Sequence, residues 1–275
     1  MFSVGFRRGL ASHFLNNIFF LCIVVVIYIA VYGWVTPENQ YTYIYASLFG
    51  TLWVTAFLFF NYALGSGLAG LVTLFFSFSI IIPIITDLTV LGTRITLFQI
   101  AGITLLFISF YIGNRPAVEK GKSVSLRFII ICIVGIFFNG LVLAVVKLHQ
   151  GAMPGVDIIA FVFYGFIAAA LVSALCFIFF YIRESKKETL SYKYMFRSPK
   201  YYLQAAGSGV TTAIGNILML AAASLLPAAI QFPIMTGGRA IIVAVLSILI
   251  FQEKFTKKTA VVFAIGIAAL AIINF

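Results

Sequence analysis

The chain has 275 residues, 63% of them hydrophobic and only 9% charged, and its mean hydropathy is +1.14. No soluble globular domain needs so much apolar sequence, so length here converts into membrane spans rather than soluble domains. A formal charge of +11 would suggest nucleic acid in a soluble protein, but the Lys and Arg residues gather in a few short loops, which reads as topology and excludes a nucleic-acid partner.

Residues 1–13 form a polar lead carrying Arg7 and Arg8. The first predicted span is 14–34, too long for the apolar core of a signal peptide and without a small-residue cleavage site. The turn Thr36-Pro37-Glu38-Asn39-Gln40 closes it. The second span is 41–64, and Gly65-Ser66-Gly67 separates it from the third, 68–91. Gly92-Thr93-Arg94 leads into the fourth, 96–112, and a hydrophilic joint, NRPAVEKGKSVSLR (114–127), follows. The fifth and sixth spans are 128–148 and 156–182, followed by the longest polar loop, RESKKETLSYKYMFRSPK (183–200), which is expected to lie on an anionic leaflet. Three further runs fill 204–275. Leu226-Pro227 parts the first two, and the charged knot QEKFTKK (252–258) parts the last two. Each run has the length of a helix that crosses a bilayer, about 20 residues. The expected fold is therefore an all-α integral membrane protein with nine transmembrane helices.

Alternating the loops across the membrane distributes the cations very unevenly. One side receives Arg7, Arg8, Arg115, Lys120, Lys122, Arg127, Arg183, Lys186, Lys187, Lys193, Arg197, Lys200, Lys254, Lys257 and Lys258; the other receives Arg94 and Lys147. The positive-inside rule then puts the N-terminus in the cytoplasm and the C-terminus outside a cytoplasmic (inner) membrane.

Sliding residues 41–114 by 160 positions lays them on 201–274 without a gap. Tyr41 meets Tyr201, Ala46 meets Ala206, Thr51 meets Thr211 and Asn114 meets Asn274, and the interhelical breaks coincide. An odd number of spans separates the copies, so the repeat is inverted, the arrangement that places a substrate site between the halves near the midplane. The domain reading is a first, four-helix repeat (1–114), a cytoplasmic linker (115–127) and a second, five-helix repeat (128–275). The first repeat lacks a counterpart of one helix, and the expectation is a late start or truncation ahead of it.

This pattern resembles the drug/metabolite transporter superfamily, in particular its EamA-like members, which are ten-span carriers built from two inverted five-helix repeats. The residues that carry the resemblance are PAAIQFP (227–233), FQEKFT (251–256) and the closing Ile272-Ile273-Asn274. The first copy answers with LGTRIT (91–96) and Gln99-Ile100-Ala101-Gly102. Where that family usually has a glutamate, the second copy has Glu253 and the first has Thr93. The same C-terminal stretch is similar to the small multidrug resistance proteins, which couple export to protons through a glutamate in their first helix. The matching helix here has Asn139 near its centre and no acid. The resemblance implies secondary transport of a small organic metabolite by alternating access, in the export direction, with proton or ion coupling and a homodimer left open. Flipping of a lipid-linked headgroup and a non-transporting membrane protein are the alternative readings.

The candidate substrate-binding residues are Arg239, Asn139, Asn216, Asn61, Trp53 and Tyr164. Arg239 sits in the middle of an apolar run beside Gly237-Gly238. A cation there is costly unless it faces a cavity or a partner. Its planar guanidinium suits a carboxylate or phosphate; equally, it could cap carbonyls freed near Pro233. Asn139, Asn216 and Asn61 are amides inside apolar runs, able to orient a substrate or to bond between helices. Thr211, Thr212 and Ser208 precede Asn216 among Gly207, Gly209 and Gly215, which reads first as close helix packing. Trp53 and Tyr164 are candidate aromatic walls. His149, after Lys147, closes the fifth span and is expected to be solvated. Cys22, Cys132 and Cys176 lie in apolar runs without ligand spacing, so no metal or cofactor is expected. No catalytic set or phosphate-binding glycine loop is present, and an enzyme is not expected.

Overall fold

The structure is a computed structural model that describes residues 10–65, 72, 75–113, 126–183, 199–251 and 257–273; within these, some side chains, including those of 239–241 and 243–251, lie outside the described set. Residues 1–9 of the N-terminal lead, Ser66-Gly67 with most of the start of the third predicted span, most of the 114–127 joint, the 184–198 stretch and most of the 252–258 knot also fall outside it. Among the described residues the chain is helical, with no strand. The helices are α1 (Leu10–Tyr32), α2 (Tyr41–Leu64), a 3-10 turn (Phe78–Ile80) running into α3 (Ile81–Val90), α4 (Leu97–Gly113), α5 (Leu126–Ala152), α6 (Ile158–Arg183), α7 (Pro199–Leu225), α8 (Ala228–Phe251) and α9 (Lys257–Ile273).

Among the described residues, five segments are long and apolar enough to cross a membrane: His13–Tyr32, Tyr41–Leu64, Leu126–Ala152, Ile158–Arg183 and Ala205–Leu225. Phe75–Val90, Leu97–Ile112 and Ala260–Ile273 are shorter apolar helical segments. Their outward faces are themselves apolar: Leu97, Leu225, Leu203 and Ile182 are each more than three-quarters exposed. So many exposed aliphatic side chains are untenable in water and ordinary against lipid. The protein is a multi-pass, all-α membrane protein.

Inside the bundle α6 packs against both α1 and α2, α5 against α2 and α3, α7 against α1, and α4 against α9. The main core gathers Phe14, Leu21, Val24, Phe49, Phe161, Phe163 and Phe166 from α1, α2 and α6. Small residues set how closely these helices approach. A Cβ built on Gly50 of α2 would lie 2.7 Å from the Ala169 nitrogen of α6, and one on Gly102 of α4 would lie 2.8 Å from the Ala269 oxygen of α9. Without a driving force from water between helices, such backbone proximity, with its dispersion contacts, is what holds the spans together. Interhelical hydrogen bonds add to it: among them, Tyr28 donates to the Ala213 carbonyl (3.0 Å) and Ser109 to the Val262 carbonyl (2.9 Å).

The short turns after α1, α3, α5 and α7 share one end of the bundle, where Asp157 accepts from the Glu38 amide and Asp87, near the end of α3, meets both Lys147 and the Ala228 amide. At the short-turn end a glycine with positive φ closes three of the turns: Gly33 (71°), Gly92 (68°) and Gly155 (74°). Asp157 also has a positive φ, 53°, a conformation its short polar side chain tolerates better than most.

Candidate functional site

A cavity of about 990 Å3 lies among α2, the 3-10 turn, α5, α7 and α8. It is at the upper end of the size usual for small-molecule sites. Trp53, Phe57, Phe60, Phe76 and Phe232 supply its aromatic walls, and Asn139, Asn216, Ser79, Thr211, Thr212 and Thr236 its polar groups. Asn139 is about 20 Å along α5 and Asn216 about 25 Å along α7, so both amides sit well inside helices about 40 Å long.

The polar wall begins with a proline. Pro83 has no N–H, so the Ser79 carbonyl loses the helical partner four residues ahead. The chain tightens into the 3-10 turn at Phe78–Ile80. The Ser79 hydroxyl donates to the Phe76 carbonyl (2.7 Å) and accepts from Asn139 Nδ2 (2.6 Å). Because that hydroxyl's single proton is committed to Phe76, the Asn139 group facing it must be the NH2. Asn216 Nδ2 donates to the Thr212 carbonyl (2.8 Å), an acceptor only, which fixes its amide the same way. Both amide oxygens, on residues that line the cavity, are thus left as acceptors without a bond to any other described residue. Trp53 stacks on Phe57 at 4.8 Å and on Phe20 at 6.2 Å between ring centroids, which fixes its ring in the wall.

Of the residues singled out from the sequence, Asn139, Asn216 and Trp53 meet at this cavity, and so do Thr211 and Thr212. Asn61 does not. It is buried and donates to the Phe57 carbonyl (2.8 Å), a bond inside its own helix. Tyr164 is half-buried against Tyr43 at 4.7 Å, away from the cavity wall. Gly238 and Met235 line the cavity from α8; the Arg239 side chain lies outside the described residues. Among the described residues no three His, Cys, Asp or Glu side chains converge as metal ligands.

The residues sequence reasoning passed over lie at the short-turn end. His149, expected to be solvated, is fully buried. Its Nε2 is 3.1 Å from Thr42 Oγ1, and its Nδ1 is 2.8 Å from Gln150 Nε2. The Asp157 carboxylate accepts from the Glu38 and Asn39 amides (2.8 and 2.9 Å) and from Thr42 Oγ1 (2.9 Å), capping the start of α2 from the α5–α6 turn. Lys147 and Asp87 form a buried pair, Nζ to Oδ1 3.9 Å, with side chains 8% and 1% exposed. The available signal was an acid and a base close to the ends of apolar runs on the side otherwise poor in charge.

No protein-family model and no curated protein matches this chain. A solved protein structure has a similar fold: the TM-score is 0.68 at 14% identity, over 95% of this chain and 87% of that one. At that identity the likeness speaks for the fold alone.

Proposed function

We propose that the protein is a secondary transporter of a small organic metabolite, working by alternating access across the cytoplasmic membrane. The observation that carries this reading is the cavity itself, which is bounded by α2 and the 3-10 turn from residues 1–114 and by α5, α7 and α8 from residues 128–275. A site at the seam of two halves is where an inverted-repeat carrier holds its substrate.

The packing pattern supports the inverted repeat and the nine-span reading. Exchanging α1 with α6, α2 with α7, α3 with α8 and α4 with α9 carries the α1–α6 and α4–α9 packings onto themselves. It also carries the α2–α6 packing onto α7–α1, which is likewise present. Resemblance to EamA-like members of the drug/metabolite transporter superfamily agrees with this arrangement. The topology gains support too: Lys147 is consumed by a buried pair, so of the two cations read on the short-turn side only Arg94 is exposed in a turn. That favours the short turns outside and the N-terminus in the cytoplasm. The direction, export, rests on the resemblance.

The substrate is read as anionic because Arg239 follows Gly238 directly and comes one turn after Met235, two positions on the cavity wall. Asn139 and Asn216 would accept from its N–H or O–H groups while Trp53 covers an apolar part. One observation favours a second reading, flipping of a lipid-linked headgroup. Thr211, Gly215 and Ile242 belong to the cavity wall and are themselves solvent-accessible, which suits a cavity open beside α7 and α8.

The test is uptake and efflux of a mixed metabolite panel in vesicles, comparing the unaltered chain with Arg239→Ala and Arg239→Lys. Movement of an anionic water-soluble compound that collapses in Arg239→Ala is the expected result. Transport indifferent to Arg239→Ala removes the anion from the reading, and movement of labelled lipid-linked headgroups alone shifts it to the flippase. A folded, inserted protein that moves nothing overturns transport.

A further inference from the structure

The α7–α8 corner is built around Pro227, and it leaves two backbone groups without helical partners. In a continuous helix the Ala223 carbonyl would accept from the N–H of residue 227, but proline has none. The Ala228 N–H, at the start of α8, is one of the donors every helix leaves orphaned at its N-terminus. Lys147 and Asp87 fill both vacancies. Lys147 Nζ donates to the Ala223 carbonyl (3.0 Å) and the Leu226 carbonyl (2.6 Å), while Asp87 Oδ2 accepts from the Ala228 amide (2.6 Å). The cation therefore sits on the negative end of α7 and the anion on the positive end of α8, each complementing the dipole it touches. The two side chains face each other at 3.9 Å.

Asp87 belongs to α3, in the first half of the chain, whereas Lys147 and the corner belong to the second. The clasp therefore ties the two halves together at the short-turn end. It also lies in register with the cavity. Ser79 and Asp87 are eight residues apart on the segment that runs from the 3-10 turn into α3, and Asn139 and Lys147 are eight apart on α5; Asn139 meets Ser79 at 2.6 Å and Lys147 meets Asp87 at 3.9 Å. The clasp thus stands about 12 Å beyond the Ser79–Asn139 bond on the cavity wall. Leu143, which also lines the cavity, lies one turn from each of Asn139 and Lys147. Asp87 Oδ1 is buried with no hydrogen-bond partner, so the pair is held closed by charge and has nothing to satisfy it if the partners part without water. A pair of that kind has two stable conditions: closed and dry, or open and hydrated.

We infer that the Asp87–Lys147 clasp is the gate of the cavity at the short-turn end, closed in this conformation and broken once in every transport cycle. This rests on the transport reading for its place in a cycle, but its test does not require a substrate. Leu143→Cys serves as the reporter in a chain whose Cys22, Cys132 and Cys176 are replaced by Ala. Trp34→Cys, in the exposed α1–α2 turn, identifies the vesicles that present the short-turn end. A membrane-impermeant thiol reagent added to that side is expected to modify the thiol of the Leu143→Cys reporter at least 10-fold faster when Asp87→Asn removes the charge. The same rise is expected with Asp87→Asn/Lys147→Met, which leaves no charge stranded and guards against misfolding of the single variant. Folded variants whose labelling from that side stays within 2-fold of the unaltered pair overturn the gate. In the unaltered chain, the Ala228 amide is expected to exchange with deuterium through an opening far more frequent than unfolding. Exchange only with global unfolding makes the clasp a permanent tie and overturns it as well. Gate opening in a protein that moves no compound would leave the clasp as the cavity's gate but remove the transport reading and with it the cycle; transport with the clasp never opening would do the reverse.

Discussion

Replacing Lys147 by Met is expected to destabilise the protein strongly, and the structure lets the size be worked out. The substitution keeps the apolar stem and removes the ammonium, leaving the Ala223 carbonyl without a donor and Asp87, 1% exposed, with its charge uncompensated. Two unit charges near 4 Å attract by about 4 kcal/mol at an effective dielectric of 20, and breaking one side of a buried pair typically costs about 3–5 kcal/mol. For a chain of this size that corresponds to a fall in Tm of roughly 6–20 °C, at about 2–4 °C per kcal/mol. Asp87→Asn strands the lysine instead, although the amide can still accept from Ala228. The double variant strands nothing and is expected to lose only about 1–2 kcal/mol, so the two substitutions should be non-additive by about 2 kcal/mol or more. Thermal unfolding of the four proteins in the same detergent, followed by helical circular dichroism, completes the cycle. Single variants within 2 °C of the unaltered chain, or losses that simply add, would falsify the argument that the pair is desolvated and mutually dependent.

Other consequences follow from the same geometry. Gly50→Leu should reduce the yield of folded protein severely, because its Cβ alone would press on α6 backbone, whereas Gly215→Ala, with nothing within 4 Å, should be neutral or stabilising by up to about 1 kcal/mol; size-exclusion profiles and Tm separate the two. Asp157→Ala removes three accepted hydrogen bonds and puts a positive φ on alanine, so a loss of about 2–3 kcal/mol is expected, with Asp157→Asn recovering a part of it in the same thermal assay. Once a substrate is in hand, Asn216→Leu should raise its KM by roughly 5- to 150-fold, corresponding to about 1–3 kcal/mol for a lost acceptor in a dry site. An unchanged KM removes Asn216 from the binding wall. Ser79→Ala should weaken binding less than Asn139→Ala, because it frees the Asn139 amide to turn without deleting it.

Apolar run length and composition determined which stretches are helical and that the chain belongs in a membrane. A bilayer leaves the backbone no alternative to closing its own hydrogen bonds, and that constraint is local enough to read from one dimension. The breaks at Gly92 and Pro227 were equally legible, since both residues announce themselves by what their backbones can and cannot do. Site residues were legible only as types. Asn139, Asn216, Asn61, Trp53 and Tyr164 all looked alike as polar or aromatic groups in apolar runs, yet Asn61 turned to its own helix and Tyr164 to Tyr43. Which face of a span meets the cavity is decided by packing against neighbours far away in sequence, and helices apolar all round carry almost no facial signal of their own. The clasp was the least legible of all. Lys147 read only as a charge near a helix end, and only the approach of α3 and α5 to the Pro227 corner made it and Asp87 the partners of a carbonyl that proline leaves unpaired and of an amide at the start of α8.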